Sequence, residues 1–255
     1  MNRLRAISTI QVMRQIDDPV RAYDEVAPAF AELTQGRKEY LDAIDRLVIG
    51  NLPKTPFSLL DIGAGDGRRA RRIAATAGVS KLVLLEPSAG MRAAGNPQTG
   101  YLNLRAEQLH RVDGSFDAIL CLWNVLGHVF PHSARAEVLH QCQRLLTPGG
   151  RLFIDVNHRY NGAHYGWLAT VGRYLYDQLR PSERNGDVVA TWKLNGRQTS
   201  VRGHVFTDRE FRSLAGGAGL LVDRRLVVDY RTGQERQWSV QGNLLYVMRR
   251  ATAPS

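Results

Sequence analysis

The stretch "FSLLDIGAGDGRRARRIA", Phe57 to Ala74, decides the fold. An apolar run enters a turn with glycines at positions 63, 65 and 67, and an arginine-rich helical pattern follows. A strand that ends in such a turn and opens a helix presents backbone N–H groups to a ligand. Glycine is needed where φ is positive or where a ligand approaches the backbone. The stretch therefore predicts a ligand-binding strand–turn–helix unit.

The spacing of these glycines narrows the class of ligand. The dinucleotide fingerprint is G-x-G-x-x-G, whereas Arg68 stands where its third glycine would fall, which disfavours NAD and FAD. The next predicted strand, "KLVLLE", ends in Glu86. A carboxylate at the tip of the second strand is placed to accept hydrogen bonds from both ribose hydroxyls of an adenosine. We therefore expect a ligand that contains adenosine.

Strands and helices alternate from this stretch up to Asn157. Further strands are predicted at "YLNLR", "FDAILCLW" and "RLFIDVN", with helices at "PSAGMRAAG" and "HSARAEVLHQCQRLL" between them. Two more helices, broken near Gly36, precede the glycine turn. Nearly continuous apolar strands separated by helices indicate a parallel sheet covered on both faces.

The pattern changes after Asn157, where an aromatic segment begins. Its middle is predicted to be helical, and at helical spacing four side chains are expected to pack a small core of their own: Trp167, Val171, Tyr174 and Leu175. A hairpin is predicted around Asn195-Gly196. A helix with a capping box at Thr207 and Glu210 follows. The two last strands are expected to form an antiparallel edge of the sheet.

Composition sets bounds on partners and compartment. The 255 residues suffice for one large domain, and the formal net charge is +10 without a long basic tail. This charge permits RNA, an acidic substrate or an anionic surface as a partner, although a solvated basic face is the simpler interpretation, also for the arginines after the glycine turn. Two cysteines, Cys121 and Cys142, favour a reducing compartment. The N-terminal residues are interpreted as neither signal peptide nor membrane anchor, so we expect a cytoplasmic location.

With these motifs in order, the chain resembles the class I S-adenosylmethionine-dependent methyltransferases. The matching motifs are "LLDIGAGDGRRA", "LLEPSAGM", "LRAEQL", "GSFDAILCLWNVLGHV" and "CQRLLTPGGRLFIDV", with "YDEVAPAFAEL" resembling the family's N-terminal helix. The resemblance covers about residues 21–157 and, more loosely, 207–249. It implies an α/β fold with a doubly wound, seven-stranded, mostly parallel sheet of the Rossmann-like methyltransferase type, whose last strand is antiparallel.

The resemblance also implies an arrangement of segments. Residues 1–50 would form N-terminal helices that cover the cofactor site. Residues 51–157 and 207–250 would form the cofactor-binding core, and residues 158–206 would be a cap inserted after strand five.

S-adenosyl-L-methionine is the cofactor that the resemblance implies, with S-adenosyl-L-homocysteine as product. Arg37 would pair with the cofactor's carboxylate and Glu86 would hold its ribose. The family's adenine loop often begins with Asp, but Arg105 stands there, and Glu107 is the nearby carboxylate. The implied cofactor-binding residues are Tyr23, Arg37, Asp61, Gly63, Ala64, Gly65, Gly67, Glu86, Pro87, Met91, Ala106, Glu107, Leu122 and Trp123.

The residues that follow strands four and five of the core are candidates for the chemistry. His128 and His158 could each take a proton from a hydroxyl or an ammonium near neutral pH, and Tyr160 is a third catalytic candidate. Either histidine could instead be a hydrogen-bonded loop residue. Substrate contacts are expected from Asn124, Tyr165 and Trp192. No metal-ligand spacing is present, so no metal is expected.

The predicted function is methyl transfer to a nitrogen or oxygen of a small organic acceptor, in specialised metabolism. The alternative is an RNA methyltransferase that uses the basic surface, although position 124 begins "NVLG" and not the Asn/Asp-Pro-Pro-aromatic motif of amino-group methyltransferases. A non-enzymatic scaffold is disfavoured by the intact glycine turn. We expect a small-molecule acceptor and no membrane partner, and the sequence leaves monomer and homodimer open.

Overall fold

The computed structural model describes residues 15–16, 18–54, 57–95, 100–194 and 197–251. The strands are β1 (Gln15–Ile16), β2 (Phe57–Ile62), β3 (Val79–Leu85), β4 (Tyr101–Leu102), β5 (Phe116–Cys121), β6 (Leu146–Val156), β7 (Asp187–Leu194), β8 (Arg197–His204), β9 (Leu220–Val228), β10 (Glu235–Arg236) and β11 (Asn243–Arg250). The α-helices are α1 (Pro19–Val26), α2 (Phe30–Gln35), α3 (Lys38–Ile49), α4 (Arg68–Ala77), α5 (Ala89–Ala94), α6 (His132–Leu145), α7 (Gly162–Tyr165), α8 (Trp167–Leu179) and α9 (Asp208–Gly217). Short 3₁₀ turns lie at Ala27–Ala29, Ala106–Arg111, Val125–His128, Glu183–Gly186 and Ser239–Gln241.

The main sheet has the strand order β10-β9-β11-β6-β5-β2-β3-β4. Strands β2 to β6 pair in parallel, and β11 pairs antiparallel with both β6 and β9. The α/β fold with a mostly parallel sheet is therefore confirmed, and the two-residue β10 brings the strand count to eight instead of seven. The last two long strands, β9 and β11, pair antiparallel at one edge of this sheet, as predicted, with the two-residue β10 beyond them. Within this edge β11 is the inner strand, and its side chains from Leu244 to Met248 are all buried, whereas β9 exposes part of its length.

Alternate side chains of the strands enter two separate cores, as expected for a sheet covered on both faces. Leu60 and Ile119 point towards α6 and α9, while their neighbours Leu59 and Leu120 point towards α3 and α4. The apolar faces of the helices complete each layer. The sheet is therefore a rigid platform whose loops at the carboxyl ends of the strands can carry a site.

The strand order reverses at β2, and this places the site. Strand β2 pairs with β3 on one side and with β5 on the other. Because consecutive connections leave in opposite directions there, a crevice forms beyond the carboxyl ends of these strands. The glycine turn, Glu86 and the loop after β5 all lie at that crevice.

A smaller sheet of order β1-β8-β7 stands over the N-terminal helix. Strands β7 and β8 pair antiparallel, which confirms the predicted hairpin, although Asn195 and Gly196 at its turn lie outside the described residues. Ala22 of α1 packs against Val201 of β8, with Trp192 beside them. The segment between β6 and α9 is fastened at both ends, since the N–H of Arg159 donates to the carbonyl of Phe206 at 2.8 Å.

The helix α8 differs from its prediction. Trp167, Val171, Tyr174 and Leu175 were expected to pack a core, but each leaves about half of its surface exposed. Polar contacts hold the inner side of the helix instead, because Asp177 pairs with the buried Arg159. None of the helices in the described parts of the chain has both the length and the apolar character needed to cross a bilayer.

Truncation of a core strand residue tests this architecture against an exposed strand position. We expect Leu120→Ala to lower the free energy of unfolding by about 2–5 kcal/mol, because Leu120 is fully buried and its loss leaves a cavity. Leu221→Ala makes the same chemical change on β9, where the side chain is 42% exposed, and we expect a change within about 0.5 kcal/mol. Urea unfolding measures both, and equal losses would contradict the assigned layers.

Candidate active site

The glycine turn after β2 adopts the conformation that its sequence requires. Gly63, Gly65 and Gly67 have φ values of 70°, 59° and 68°. A Cβ on Gly63 would lie 2.6 Å from Val125, and one on Gly67 would lie 2.6 Å from the hydroxyl of Tyr101. Side chains at these positions would therefore both strain the backbone and collide with their neighbours.

Glu86 lies directly beneath this turn. Its Oε2 accepts a hydrogen bond from the N–H of Gly65 at 2.9 Å, and its Oε1 accepts one from the N–H of Ser88 at 2.8 Å. Burial raises the pKa of the Glu86 carboxyl, and these two hydrogen bonds oppose that rise. Each oxygen keeps a further lone pair for a hydroxyl of a ligand.

A cavity opens above Glu86, and we call it the glycine-loop cavity. Most of the cofactor-binding residues implied by the resemblance line it, and it also contains residues that were not predicted, such as Phe30 and Val129. Its lining residues are Pro19, Val20, Tyr23, Phe30, Gly63, Gly65, Leu85, Glu86, Pro87, Met91, Arg105, Ala106, Glu107, Leu122, Trp123, Val125, His128 and Val129. Phe30 is the final aromatic of "YDEVAPAFAEL" and Val129 is the last residue of "GSFDAILCLWNVLGHV", whereas no sequence signal pointed to Val20.

A second cavity adjoins the first across the glycine turn, and we call it the Arg69 cavity. Asp61, Ala64 and Arg69 line it, and it shares Gly63 and Gly65 with the glycine-loop cavity. Burial raises the pKa of Asp61 to about 7, although the nearby Arg69 acts in the opposite direction. A carboxylate and a cation therefore face one another beside the turn.

The arginines after the glycine turn are not a solvated face throughout. Arg69 is largely buried, and its Nε donates to Asp45 at 2.5 Å. Arg72 also pairs with Asp45, so both side chains are drawn towards α3. The Nη2 of Arg69 is buried without a hydrogen-bond partner among the described residues. The sequence missed this role because no local pattern pairs Arg69 with Asp45, which lies 24 positions away.

The loop after β5 contains two consecutive left-handed residues, Trp123 and Asn124, with φ values of 60° and 59°. Such a conformation costs about 1–2 kcal/mol for each residue that is not glycine. Asp155 compensates for it, since its carboxylate accepts the N–H of Trp123 and its carbonyl accepts the N–H of Asn124 at 3.2 Å. The turn directs Trp123 and the following 3₁₀ turn, with His128, towards the cavity.

His128 and Tyr23 meet at the wall of the glycine-loop cavity. The Nδ1 of His128 lies 3.1 Å from the carbonyl oxygen of Arg202, and its Nε2 lies 3.4 Å from the hydroxyl of Tyr23. Because a carbonyl only accepts, the ring proton belongs on Nδ1, which leaves the lone pair of Nε2 facing Tyr23. Burial lowers the pKa of His128 below its usual value, so the imidazole is neutral at pH 7.

The helix α1 forms the roof of this cavity through Pro19, Val20 and Tyr23. Asp18 at its start accepts two hydrogen bonds from Arg105, at 2.9 and 2.8 Å. Asp24 accepts one from the hydroxyl of Ser88 at 2.6 Å. Arg105 therefore stands at the head of the 106–111 turn as the partner of an N-terminal carboxylate.

Several predicted site residues lie outside both cavities. Arg37 lines neither cavity, because its guanidinium lies over the ring of Tyr230 at 4.7 Å. Asn124 is buried and lines neither cavity, and its amide accepts the N–H of Asn157 and donates to the carbonyl of His204, so it supports the loop. Gly67 lines neither cavity and instead permits close packing under Tyr101.

The remaining catalytic candidates are also outside the glycine-loop cavity. His158 is buried beside Asn243, and burial lowers its pKa to about 4. The hydroxyl of Tyr160 donates to Asp177 at 2.7 Å, and its ring lines a different groove beneath α8. The structure therefore leaves His128 as the histidine that reaches the cavity.

Neither of the predicted aromatic substrate contacts lines the glycine-loop cavity. The guanidinium of Arg173 lies over the ring of Tyr165, 4.6 Å from the centre of that ring. Trp192 packs against Tyr23 with ring centres 5.3 Å apart, so Tyr23 separates it from the cavity. Trp192 therefore supports the wall that Tyr23 forms. In the described parts of the chain, no cluster of three or more His, Cys, Asp or Glu could hold a metal ion.

Comparison with known proteins identifies a methyltransferase domain around this site. A family model described as a methyltransferase domain matches residues 59–150, which contain the glycine turn, Glu86 and the loop after β5. A ubiquinone biosynthesis O-methyltransferase of Dechloromonas aromatica is 33% identical over 127 residues. That match covers 48% of this chain and 53% of the relative, so the chain spans about half the length of the curated protein it resembles.

Solved structures agree with this placement at the level of the fold. The CcbJ methyltransferase from Streptomyces caelestis superposes with a TM-score of 0.61 at 15% identity, covering 83% of this chain and 90% of the other. An S-adenosylmethionine-dependent methyltransferase from Clostridium acetobutylicum superposes with a TM-score of 0.63 at 12% identity, covering 90% and 99%. With the strand order and the glycine turn, these matches show a methyltransferase domain at residues 59–150 and a fold shared with solved S-adenosylmethionine-dependent methyltransferases.

Proposed function

We propose that the protein transfers the methyl group of S-adenosylmethionine to an oxygen or nitrogen of a small organic acceptor. The observation that carries the proposal is the union of three features in one cavity. These are the glycine turn, the buried carboxylate of Glu86 and the neutral His128 at the cavity wall, whose Nε2 lies 3.4 Å from the hydroxyl of Tyr23. The first two suit an adenosine ligand, and the third suits removal of a proton from an acceptor.

The residues of the two cavities fit the cofactor. Glu86 would accept hydrogen bonds from the ribose hydroxyls, and Ala106 and Glu107 would lie beside the adenine. Gly65 lines the cavity without a side chain, and an added Cβ would lie only 3.1 Å from Met91, so glycine at this position suits close approach of a ligand to the backbone. When bound, the cofactor supplies a methyl group already activated on a sulfonium, so the protein aligns and desolvates the acceptor.

Asp61 and Arg69 would hold the charged end of the cofactor's methionine portion. Asp61 offers a carboxylate for the ammonium group. The buried Nη2 of Arg69, which has no partner among the described residues, offers a donor for the carboxylate. This assignment replaces Arg37, which is engaged with Tyr230.

His128 would act as the general base. Its Nδ1 is held by the carbonyl of Arg202, so Nε2 accepts the proton as the acceptor atom attacks the methyl group. Tyr23 is unsuited to this role because burial raises the pKa of its phenol well above the usual value. The relatives named O-methyltransferases favour oxygen as the acceptor atom.

The proposed acceptor is a small molecule with an apolar body. Val20, Val125 and Val129 supply apolar surface near His128, and α1 covers the cavity. We further propose that residues 1–50 cover the cofactor and that residues 158–206 form the cap above it. The RNA alternative loses support because Arg69 and Arg72 are engaged with Asp45. Salt-sensitive retention on RNA would favour that alternative.

Binding of S-adenosyl-L-homocysteine tests the cofactor proposal. We expect the wild-type protein to bind it at micromolar levels and to gain thermal stability, whereas Glu86→Ala should raise its Kd about 10- to 100-fold through loss of charge-assisted hydrogen bonds. Glu137→Ala, an exposed position on α6, is the matched control and should leave the Kd unchanged. Calorimetry measures both, and equal Kd values for Glu86→Ala and wild type would refute the ribose assignment.

The pH dependence of the same binding tests Asp61. Its pKa is raised to about 7, so near neutral pH the free protein holds a proton there that must leave before Asp61 can pair with an ammonium group. We therefore expect the Kd for S-adenosyl-L-homocysteine to rise as pH falls below 7, by up to about tenfold per pH unit. Asp61→Asn should bind more weakly above pH 7 and lose this dependence, while Asp42→Asn in the same cavity should keep it.

Removal of the imidazole tests the proposed base. We expect His128→Gln to lower kcat about 100-fold or more while the affinity for S-adenosyl-L-homocysteine stays unchanged. In the wild type, kcat should fall as pH drops through the lowered pKa of His128, because the protonated ring accepts no proton. Tyr23→Phe keeps the ring packing and should retain most of the rate. A similar rate for His128→Gln and wild type would exclude this base.

A further inference from the structure

The outward side of α8 is an apolar surface. Leu168 and Leu179 are 92% and 82% exposed, and Val171, Leu175 and Tyr176 between them are about half exposed. The opposite side of the helix carries the buried Thr170 and Asp177, so the orientation of the helix is fixed. Within the described residues, no other segment packs on the outward side, which we call the α8 face and define as Leu168, Val171, Leu175, Tyr176 and Leu179. Exposed apolar surface of this extent marks an interaction site.

A second exposed aromatic lies beside α7, the short helix that precedes α8. Trp238 is 63% exposed and precedes the 3₁₀ turn Ser239–Gln241, against which α7 packs. Trp167, at the first position of α8, leaves about half of its surface exposed. Tryptophan is favoured where an apolar medium meets water, because its ring is apolar and its N–H is polar. The two tryptophans therefore suit the boundary of a lipid surface.

The charges around the α8 face decide what kind of surface it suits. Residues 158–206 carry seven arginines and lysines against three acidic residues. Asp177 pairs with Arg159 and Asp187 with His204, whereas the side chain of Glu183 is 72% exposed and lies 3.8 Å from His132. Arg180 and Arg184, at the end of α8 and just beyond it, are exposed and form no ion pair within the described residues. The rim is therefore cationic.

The positive charge of this rim favours a membrane over a second copy of the chain as the partner of the α8 face. Two copies that met through their α8 faces would bring like charges together, and a net charge of +10 on each would oppose the contact. An anionic bilayer attracts the arginines and takes up the leucines and tryptophans at once. We propose that the protein binds peripherally to anionic lipid bilayers through the α8 face.

The position of the α8 face suggests a role for membrane binding. This role rests on the proposed function. Tyr165, next to α8, follows His164, whose ring lies 5.1 Å from that of Tyr230. The hydroxyl of Tyr230 lies 3.5 Å from the Nε1 of Trp123, a lining residue of the glycine-loop cavity. Docking would therefore bring the cavity close to the lipid and favour an amphiphilic acceptor. This peripheral contact departs from the expectation of no membrane partner and needs no spanning helix.

Vesicle sedimentation tests the proposal and requires no activity. We expect the full chain to partition onto vesicles of phosphatidylcholine mixed with phosphatidylglycerol, and much less onto phosphatidylcholine alone. The double variant Leu168→Ser/Leu179→Ser should lower the partition coefficient about tenfold or more, since both side chains would enter the interface. Leu221→Ser on β9 is the matched control and should bind as the wild type does. Binding of S-adenosyl-L-homocysteine should be the same in all of them.

Four results would overturn the proposal. The first is no binding to either kind of vesicle, and the second is binding that the double variant retains. The third is a dimer in sedimentation velocity that the double variant abolishes, which would assign the face to a second copy. The fourth is a clear fall in the melting temperature of the double variant, which would show that the face is covered within the folded chain. Loss of cofactor binding in the wild type would instead count against the proposed function alone.

Discussion

The buried carboxylate of Asp155 holds together the parts of the site. One oxygen accepts the N–H of Trp123, and the other accepts the hydroxyl of Tyr40 from α3 at 2.7 Å. Burial raises the pKa of Asp155, while these hydrogen bonds and the nearby Arg69 oppose the rise. One side chain on β6 thus connects a helix on one face of the sheet to the strained loop after β5. Without the Asp155 carboxylate, the left-handed residues Trp123 and Asn124 would lose the main hydrogen bond that offsets their backbone strain. The side chain of His128 would then no longer be oriented towards the cavity.

Polar and apolar groups lie at different depths in the site. Carboxylates and cations lie at or below the glycine turn, where Glu86, Asp61 and Arg69 are buried and held by neighbours. The upper wall is formed by α1 and the loop after β5, and it is mainly apolar apart from Tyr23 and His128. Charged groups in a poorly solvated floor interact more strongly than they would in water. An apolar wall above them excludes the water that would compete for an activated methyl group.

Sequence patterns were sufficient where a function resides in a short stretch. The glycine turn, Glu86 at the strand tip and the alternation of strands and helices are local, so the sheet and the cofactor end of the cavity could be predicted. Arg69, Arg37 and Asn124 were misjudged because their partners are distant in sequence: Asp45, Tyr230 and His204. The prediction that the aromatic residues of α8 pack a core was wrong for another reason. Helical spacing shows which side chains share a face, but the partner of that face is a property of the tertiary structure.

The placement of α1 has a consequence for the order of events in a catalytic cycle. This helix is the roof of the glycine-loop cavity and also the floor on which the β7–β8 hairpin rests. Its ion pair to Arg105 is partly exposed, and such pairs contribute only about 0–1 kcal/mol. Opening of this roof would also break the hydrogen bond between Asp24 and Ser88 and the packing of Ala22 on Val201. Under the proposed function, passage of the nucleoside through the roof therefore couples movement of α1 to movement of the β7–β8 hairpin.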